Sequence, residues 1–225
     1  MDQSFHWVDQ RVNWRAVFKR ELLTTDTAQR RPGIFPLPFA ALNRWVFPAQ
    51  KKTKLVSFLA NRYNNPLRNS IHHRLRNLAD DRIITGSTGE CSNTGTLEVG
   101  QTVQYSEILR QSLCSVNVPG AGYDCARYWE ILGAFSCVFT YKLDIIVPHP
   151  FTDGANILEF SNLQEFDEKI EFILNSPHDV INIVNRGREH LMAFHTSHAR
   201  VAYLLQKIEG QLINQSFVDT RNLND

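Results

Sequence analysis

The stretch that most limits what this chain can become runs from Leu113 to Phe139, LCSVNVPGAGYDCARYWEILGAFSCVF. It reads as strand, glycine turn, helix and strand. Leu113 to Val118 forms a short apolar run, which Pro119, Gly120 and Gly122 then break. Asp124 stands where an N-cap is expected, and helical spacing follows through Tyr128, Ile131 and Leu132. A glycine turn lets backbone N–H groups come close to a ligand. The helix start behind it carries partial positive charge. Together they predict an anion site suited to phosphate, although the same pattern also serves plain chain reversal.

The flanking segments alternate in the same way. Residues 54–60 (KLVSFLA) read as a buried strand, 67–78 (LRNSIHHRLRNL) as a helix, and 82–85 (RIIT) as a short strand. A polar, glycine-rich loop over 86–101 leads to a short helix at 105–112 and into the central strand. After the central helix come a strand at 136–141 (SCVFTY), a turn marked by Asp153-Gly154, and a strand in ILEF. Three helices follow, the first capped by Ser161 or Asn162, with apolar residues at 163, 166, 170, 173 and 174. Strands alternating with helices predict an α/β, Rossmann-like domain with a mainly parallel sheet, which binds ligands beyond the carboxyl ends of its strands.

Residues 1–50 differ in kind. A short helix or helix–strand mixture is expected up to Leu23, with Phe18-Lys19-Arg20-Glu21 its sharpest part. From Arg30 to Pro48, four prolines (Pro32, Pro36, Pro38, Pro48) argue for an extended connector. It is apolar enough to pack on the domain that follows or on one supplied elsewhere. The expected organisation is therefore an N-terminal arm over 1–50, a Rossmann-like domain over 51–212 and a tail over 213–225.

Cysteines 91, 114, 125 and 137 match no zinc spacing and read as reduced thiols. His190, His195 and His198 lack a third ligand at metal spacing and read as structural, while His72 and His73 read as helix-surface residues. No run of about 18 apolar residues and no signal-peptide core occur, so a cytoplasmic chain without a transmembrane segment is expected. Residues 1–82 hold 15 Lys+Arg against 6 Asp+Glu, and residues 83–225 hold 9 against 17. The basic half suits a phosphorylated ligand or nucleic acid, but no nucleic-acid-binding signature accompanies it.

Several runs, in order, resemble the C-terminal, donor-binding half of a GT-B glycosyltransferase of the group-one-like, CgeB-like branch. They are FKRE, PLPFA, VSFLANRYNNPLR, YSEILRQSLCSVNVPGAGYDCARYWEILGAFSCVF, PFTDGANILEFSNLQEFDEKIEFIL and GREHLMAFHTSHARVAYLL. The core of the match is Gly122-Tyr123-Asp124, then Arg127, then Trp129-Glu130. The last run is similar to the family's HT-x-x-x-R tail.

The resemblance implies binding of a nucleotide-diphosphate sugar. Gly120, Gly122, Tyr123 and Asp124 would face the diphosphate, Arg127 and Arg68 would neutralise it, and Glu130 would hydrogen-bond the ribose. It also implies a metal-independent reaction with no cofactor beyond the donor. A paired glutamate eight positions before Glu130 is missing, since Gly122 stands there. About 50 residues are too few for an acceptor domain. The expectation is either a partner chain that carries one, or a homodimer through the arm, or else a shortened open reading frame or gene fragment. No catalytic residue is identified. The sequence thus supports a glycosyltransferase or the donor half of one, with a non-catalytic nucleotide- or sugar-binding module as the alternative and a basic-faced nucleic-acid binder as a third reading.

Overall fold

The computed structural model describes residues 14–25, 32–61, 65–86, 105–120 and 122–221, with side chains to 211. Its centre is a five-stranded sheet made of β3 (Lys54–Leu59), β4 (Ile83–Gly86), β5 (Ser112–Asn117), β6 (Cys137–Tyr141) and β7 (Leu158–Phe160). The order across the sheet is β4-β3-β5-β6-β7, and every neighbouring pair is parallel. All six residues of β5 are buried, as expected of a central parallel strand covered on both faces.

Helices α1 (Pro66–Asn77), α2 (Tyr105–Gln111), α3 (Ala126–Gly133), α4 (Leu163–Asn175), α5 (Pro177–Phe194) and α6 (Ser197–Arg221) complete the fold. Alternate strand residues Val56, Phe58, Cys114, Val116, Cys137 and Phe139 pack with Ile71 and Leu75 of α1, Phe166, Ile170 and Ile173 of α4, and Val180 and Val184 of α5. Val138 packs on the other side with Leu109 of α2, Trp129, Ile131 and Leu132 of α3, and Leu191 of α5. The period-two alternation of the strands thus sorts the core into two clusters.

The helix starts follow local chemistry. Asn65 caps α1 by accepting Leu67 N at 2.9 Å, ahead of Pro66 at the first helical position. Asn162 caps α4, accepting both Gln164 N and Glu165 N at 3.0 Å. At α3 the expectation fails: the capping position is Cys125, with no side-chain cap bond, and Asp124 points elsewhere. His72 also departs from its expected surface position and is buried within α1.

The proline-rich connector is more ordered than its composition suggests. Ile34–Pro36 forms β2, which pairs in parallel with β1 (Val17–Lys19). Pro36 is tolerated because a two-stranded pair leaves each strand an edge free of partners. Gly33 enters β2 with φ 81°, a backbone region that glycine adopts without strain. The arm then lies on the domain. Leu22 and Ala41 are fully buried, and Trp45 and Phe47 pack against the α3 cluster. Trp14, in contrast, is 52% exposed. Trp7, Cys91 and the glycine-rich loop over 87–104 lie outside the described residues.

The His-Thr-x-x-x-Arg tail holds the arm down. Ala41 N donates to His195 O at 2.9 Å, Ser197 N donates to Ala41 O at 3.2 Å, and Arg200 Nη2 donates to Phe39 O at 3.2 Å. His195 is buried, with Nε2 2.9 Å from His149 O and Nδ1 3.0 Å from Arg200 Nη2. Arg200 therefore pairs with backbone and a histidine, and its guanidinium lies over the Trp129 ring at 5.5 Å. Among the described residues no group of three or more His, Cys, Asp or Glu could hold a metal ion.

Candidate functional site

From β3 the chain runs outward to β4, then returns past β3 to β5 and continues to β6 and β7. This reversal leaves a crevice between the carboxyl ends of β3 and β5, the place where open α/β sheets take their ligands. Arg68, on the first turn of α1, bridges that crevice. Its Nη1 donates to Asn61 O just after β3 at 3.0 Å, and its Nη2 donates to Val118 O just after β5 at 2.9 Å. Asn65 ties the same two loops, donating from Nδ2 to Pro119 O at 3.1 Å.

Arg68 is buried rather than solvated, and burial lowers its pKa to about 10, with the nearby Arg127 guanidinium adding to the effect. Arg127, on the first turn of α3, lies beside Tyr105 and Glu130. Its Nε and Nη1 are buried with no hydrogen-bond partner among the described residues, and Arg68 Nε is in the same state. Two neighbouring guanidinium groups with buried, unpaired N–H donors repel one another. An anion between them would satisfy both the charge and the hydrogen bonds.

Glu130 lies one turn along α3 and is partly buried. Tyr105 Oη donates to Glu130 Oε2 at 3.1 Å. Burial raises the Glu130 pKa, while the hydrogen bond from Tyr105 and the guanidinium groups of Arg127 and Arg44 oppose that shift. Burial likewise pushes the Tyr105 phenol up. Tyr105 packs edge-on to Trp45 at 5.7 Å, so the arm closes one side of this acid–tyrosine pair.

The glycine turn is tighter than its sequence suggests. Gly120 N donates to Gly122 O at 3.2 Å and to Cys125 Sγ at 3.3 Å. A Cβ at Gly120 would come within 3.0 Å of Arg68 Nη2, so the glycine makes room for the guanidinium. Tyr123, half-buried, accepts Cys125 N on its carbonyl at 3.1 Å. Asp124 is buried, and both its oxygens are engaged: Oδ2 accepts Phe39 N at 2.7 Å and Oδ1 accepts Trp129 Nε1 at 2.9 Å. Burial raises its pKa against these bonds. Asp124 therefore fastens the arm to α3, and it is neither the helix cap nor a free ligand group.

A carboxylate that the sequence did not mark for the site stands at the same turn. Glu21 Oε1 accepts Asp124 N at 3.1 Å and also accepts Arg20 Nη2 at 3.1 Å. A Cβ on Gly122 would overlap Glu21 Oε1, so Gly122 admits a side chain from 101 positions earlier in the chain. Two amides expected to face a ligand, those of Gly120 and Asp124, thus have acceptors within the protein. The structure brings Arg68, Arg127, Glu130 and the Gly120–Gly122 turn together and adds Tyr105 and Glu21. The only earlier signal for Glu21 was the sharpness of the FKRE run.

A separate cavity of about 590 Å³ lies between α1 and α4, lined by Arg74, Leu78, Phe166, Asp167 and Ile170 among others. It shares no residue with the turn, and an Arg74–Asp167 ion pair closes part of its rim.

Comparison with known proteins bears on the fold and the family. A family model described as glycosyl transferase-like matches residues 68–206. No curated protein matches. Among solved structures, TarM of S. aureus, in a complex with fondaparinux, α-GlcNAc-glycerol and UDP, aligns over 86% of this chain and 44% of its own, with 14% identity and a TM-score of 0.57. A glycosyltransferase from Rickettsia africae aligns over 80% of this chain and 57% of its own (9% identity, TM-score 0.53). A sucrose-phosphate synthase from Thermosynechococcus elongatus aligns over 84% and 54% (13% identity, TM-score 0.52). At these identities the likeness is one of fold, that of a GT-B C-terminal-like domain, and the chain spans about half the length of these proteins or less.

Proposed function

Because the chain belongs to the glycosyl transferase-like family, we propose that it binds a nucleotide-diphosphate sugar and serves as the donor-holding half of a glycosyl transfer. The observation that carries this reading is the pair of neighbouring guanidinium groups, Arg68 and Arg127, in which Arg68 Nε and Arg127 Nε and Nη1 are buried with no hydrogen-bond partner among the described residues. The binding of UDP by TarM, a protein of the same fold, supports it.

In the reaction an acceptor hydroxyl forms a bond to the anomeric carbon as the bond to the diphosphate oxygen breaks, and the hydroxyl proton passes to the departing diphosphate or to solvent. The electron pair leaves with the diphosphate. Charge grows on that oxygen, and fixed donors aimed there lower the barrier because they need no reorganisation. Arg127, on the first turn of α3 with Nε and Nη1 unpaired among the described residues, suits this role. Arg68 fixes the two loops and adds a second positive charge. Glu130, held by Tyr105 Oη, offers its other oxygen to a ribose hydroxyl. Donor binding of this kind needs no metal ion.

Titration calorimetry with UDP-, GDP- and dTDP-sugars tests the reading. Arg127→Ala is expected to weaken binding of the preferred donor by about 10- to 100-fold, the scale of a charged hydrogen bond. Glu130→Ala is expected to cost about 1–3 kcal/mol of binding. A wild-type chain that binds none of these nucleotides, or an Arg127→Ala chain that binds unchanged, would remove the proposal. Tight donor binding with no transfer or donor hydrolysis would favour a non-catalytic binding module instead.

A further inference from the structure

We propose that Glu21 is the group that reads the transferred sugar, accepting one of its hydroxyls at the glycine turn. This rests on the donor-binding reading above. The carboxylate is held there by the fold. Its neighbour Leu22 is fully buried, Ile146 N donates to Leu22 O at 2.7 Å, and Thr24 N donates to Asp144 O at 3.0 Å. The segment that carries Glu21 is therefore stitched to the loop after β6 and does not dangle at the site.

The two bonds described for Glu21, from Asp124 N and Arg20, both fall on Oε1. Oε2 lies 3.1 Å from the place a Cβ on Gly122 would occupy, over the bare backbone of that glycine. The Glu21 side chain is 23% exposed and so is not sealed in the interior. Like charges exclude the diphosphate itself as the partner of Glu21. The diphosphate belongs to Arg68 and Arg127, at the Gly120 side of the turn. The neutral, hydroxyl-rich part of such a donor follows directly on the diphosphate. A carboxylate is a strong acceptor for its O–H groups. Gly122 is then required because any side chain would displace Glu21.

Two variants and two pairs of probes test this. Glu21→Gln retains a carbonyl for Asp124 N but replaces the carboxylate. Gly122→Ala keeps Glu21 and pushes it off the turn. Calorimetry would compare UDP with UDP-glucose and GDP with GDP-fucose. Glu21→Gln should bind the bare diphosphate within about twofold of wild type and the matching sugar nucleotide about tenfold more weakly, while Gly122→Ala should lose more affinity for the sugar nucleotide than for the diphosphate. A thermal melt of each variant checks that it is folded. Equal loss for diphosphate and sugar nucleotide, or no change in either, would overturn the assignment. Tighter binding of the bare diphosphate by Glu21→Gln would overturn it as well, by showing that the carboxylate competes with phosphate for the turn. Failure of the wild type to bind any of the four probes would instead overturn the donor reading on which this one depends.

Discussion

Between pH 7 and pH 4.5 the protein is expected to lose roughly 2–3 kcal/mol of stability through His195 alone, from a tenfold change per pH unit over about two units. His195 is fully buried, and its pKa is lowered from 6.5 to about 3, first by burial and then by the Arg200 guanidinium. The hydrogen bonds give the same direction. Nε2 carries the proton shared with His149 O, and Nδ1 accepts from Arg200. A second proton on Nδ1 would face the N–H of a cation. The unfolded chain takes up that proton near pH 6.5, whereas the folded one resists until about pH 3. The contribution is therefore present above 6.5 and lost as pH falls through this window. Urea unfolding at a series of pH values, for wild type and His195→Gln, gives the difference in slope. Asp124 and Glu130, whose pKa values burial raises, act in the opposite sense but are common to both proteins. Equal slopes would show that His195 is not held neutral.

Gly133→Ala is expected to cost about 3 kcal/mol, at the upper end for an added methyl in a packed interior. The new Cβ would overlap the carbonyl oxygen of Trp45, which is backbone and has little freedom to move. The same glycine accepts Phe47 N at 2.9 Å and Arg188 Nη1 at 3.1 Å on its own carbonyl, so the arm, α3 and α5 meet there. Displacing the arm would also loosen Trp45 from Tyr105, the partner of Glu130. The variant should thus show both a lower unfolding midpoint in urea and weaker donor binding. Gly154→Ala, where a Cβ has open space around it but φ is 70°, is a milder control. If Gly133→Ala and Gly154→Ala lose stability equally, the close approach of the arm is not what Gly133 serves.

The strand–turn–helix–strand run centred on PGAGYD was legible because each part carries local chemistry: β-branched residues, then glycines, then helical spacing. The mainly parallel sheet and the Rossmann-like class follow from that alternation and are what the fold shows, whereas the order β4-β3-β5-β6-β7 is read only from the structure. Arg68 was less legible. An arginine on a first helical turn is ordinarily solvated, and only the two carbonyls of Asn61 and Val118 draw it into the crevice. Asp124 shows the opposite error. Its type and position satisfy the rules for a cap, yet Phe39 N and Trp129 Nε1, brought in by the arm and by α3, take both of its oxygens. Local propensity does not know about donors that arrive from 85 residues away.

The sequence by itself determined the alternating strands and helices and the glycine turn before α3, because those depend on neighbours within about ten positions. Tertiary structure alone decided that Glu21 stands at Gly122, that Tyr105 holds Glu130, and that His195 and Arg200 pin residues 39–41. Each of these joins segments 25 to 161 positions apart, where burial and shared hydrogen bonds, rather than periodicity, fix which side chain arrives.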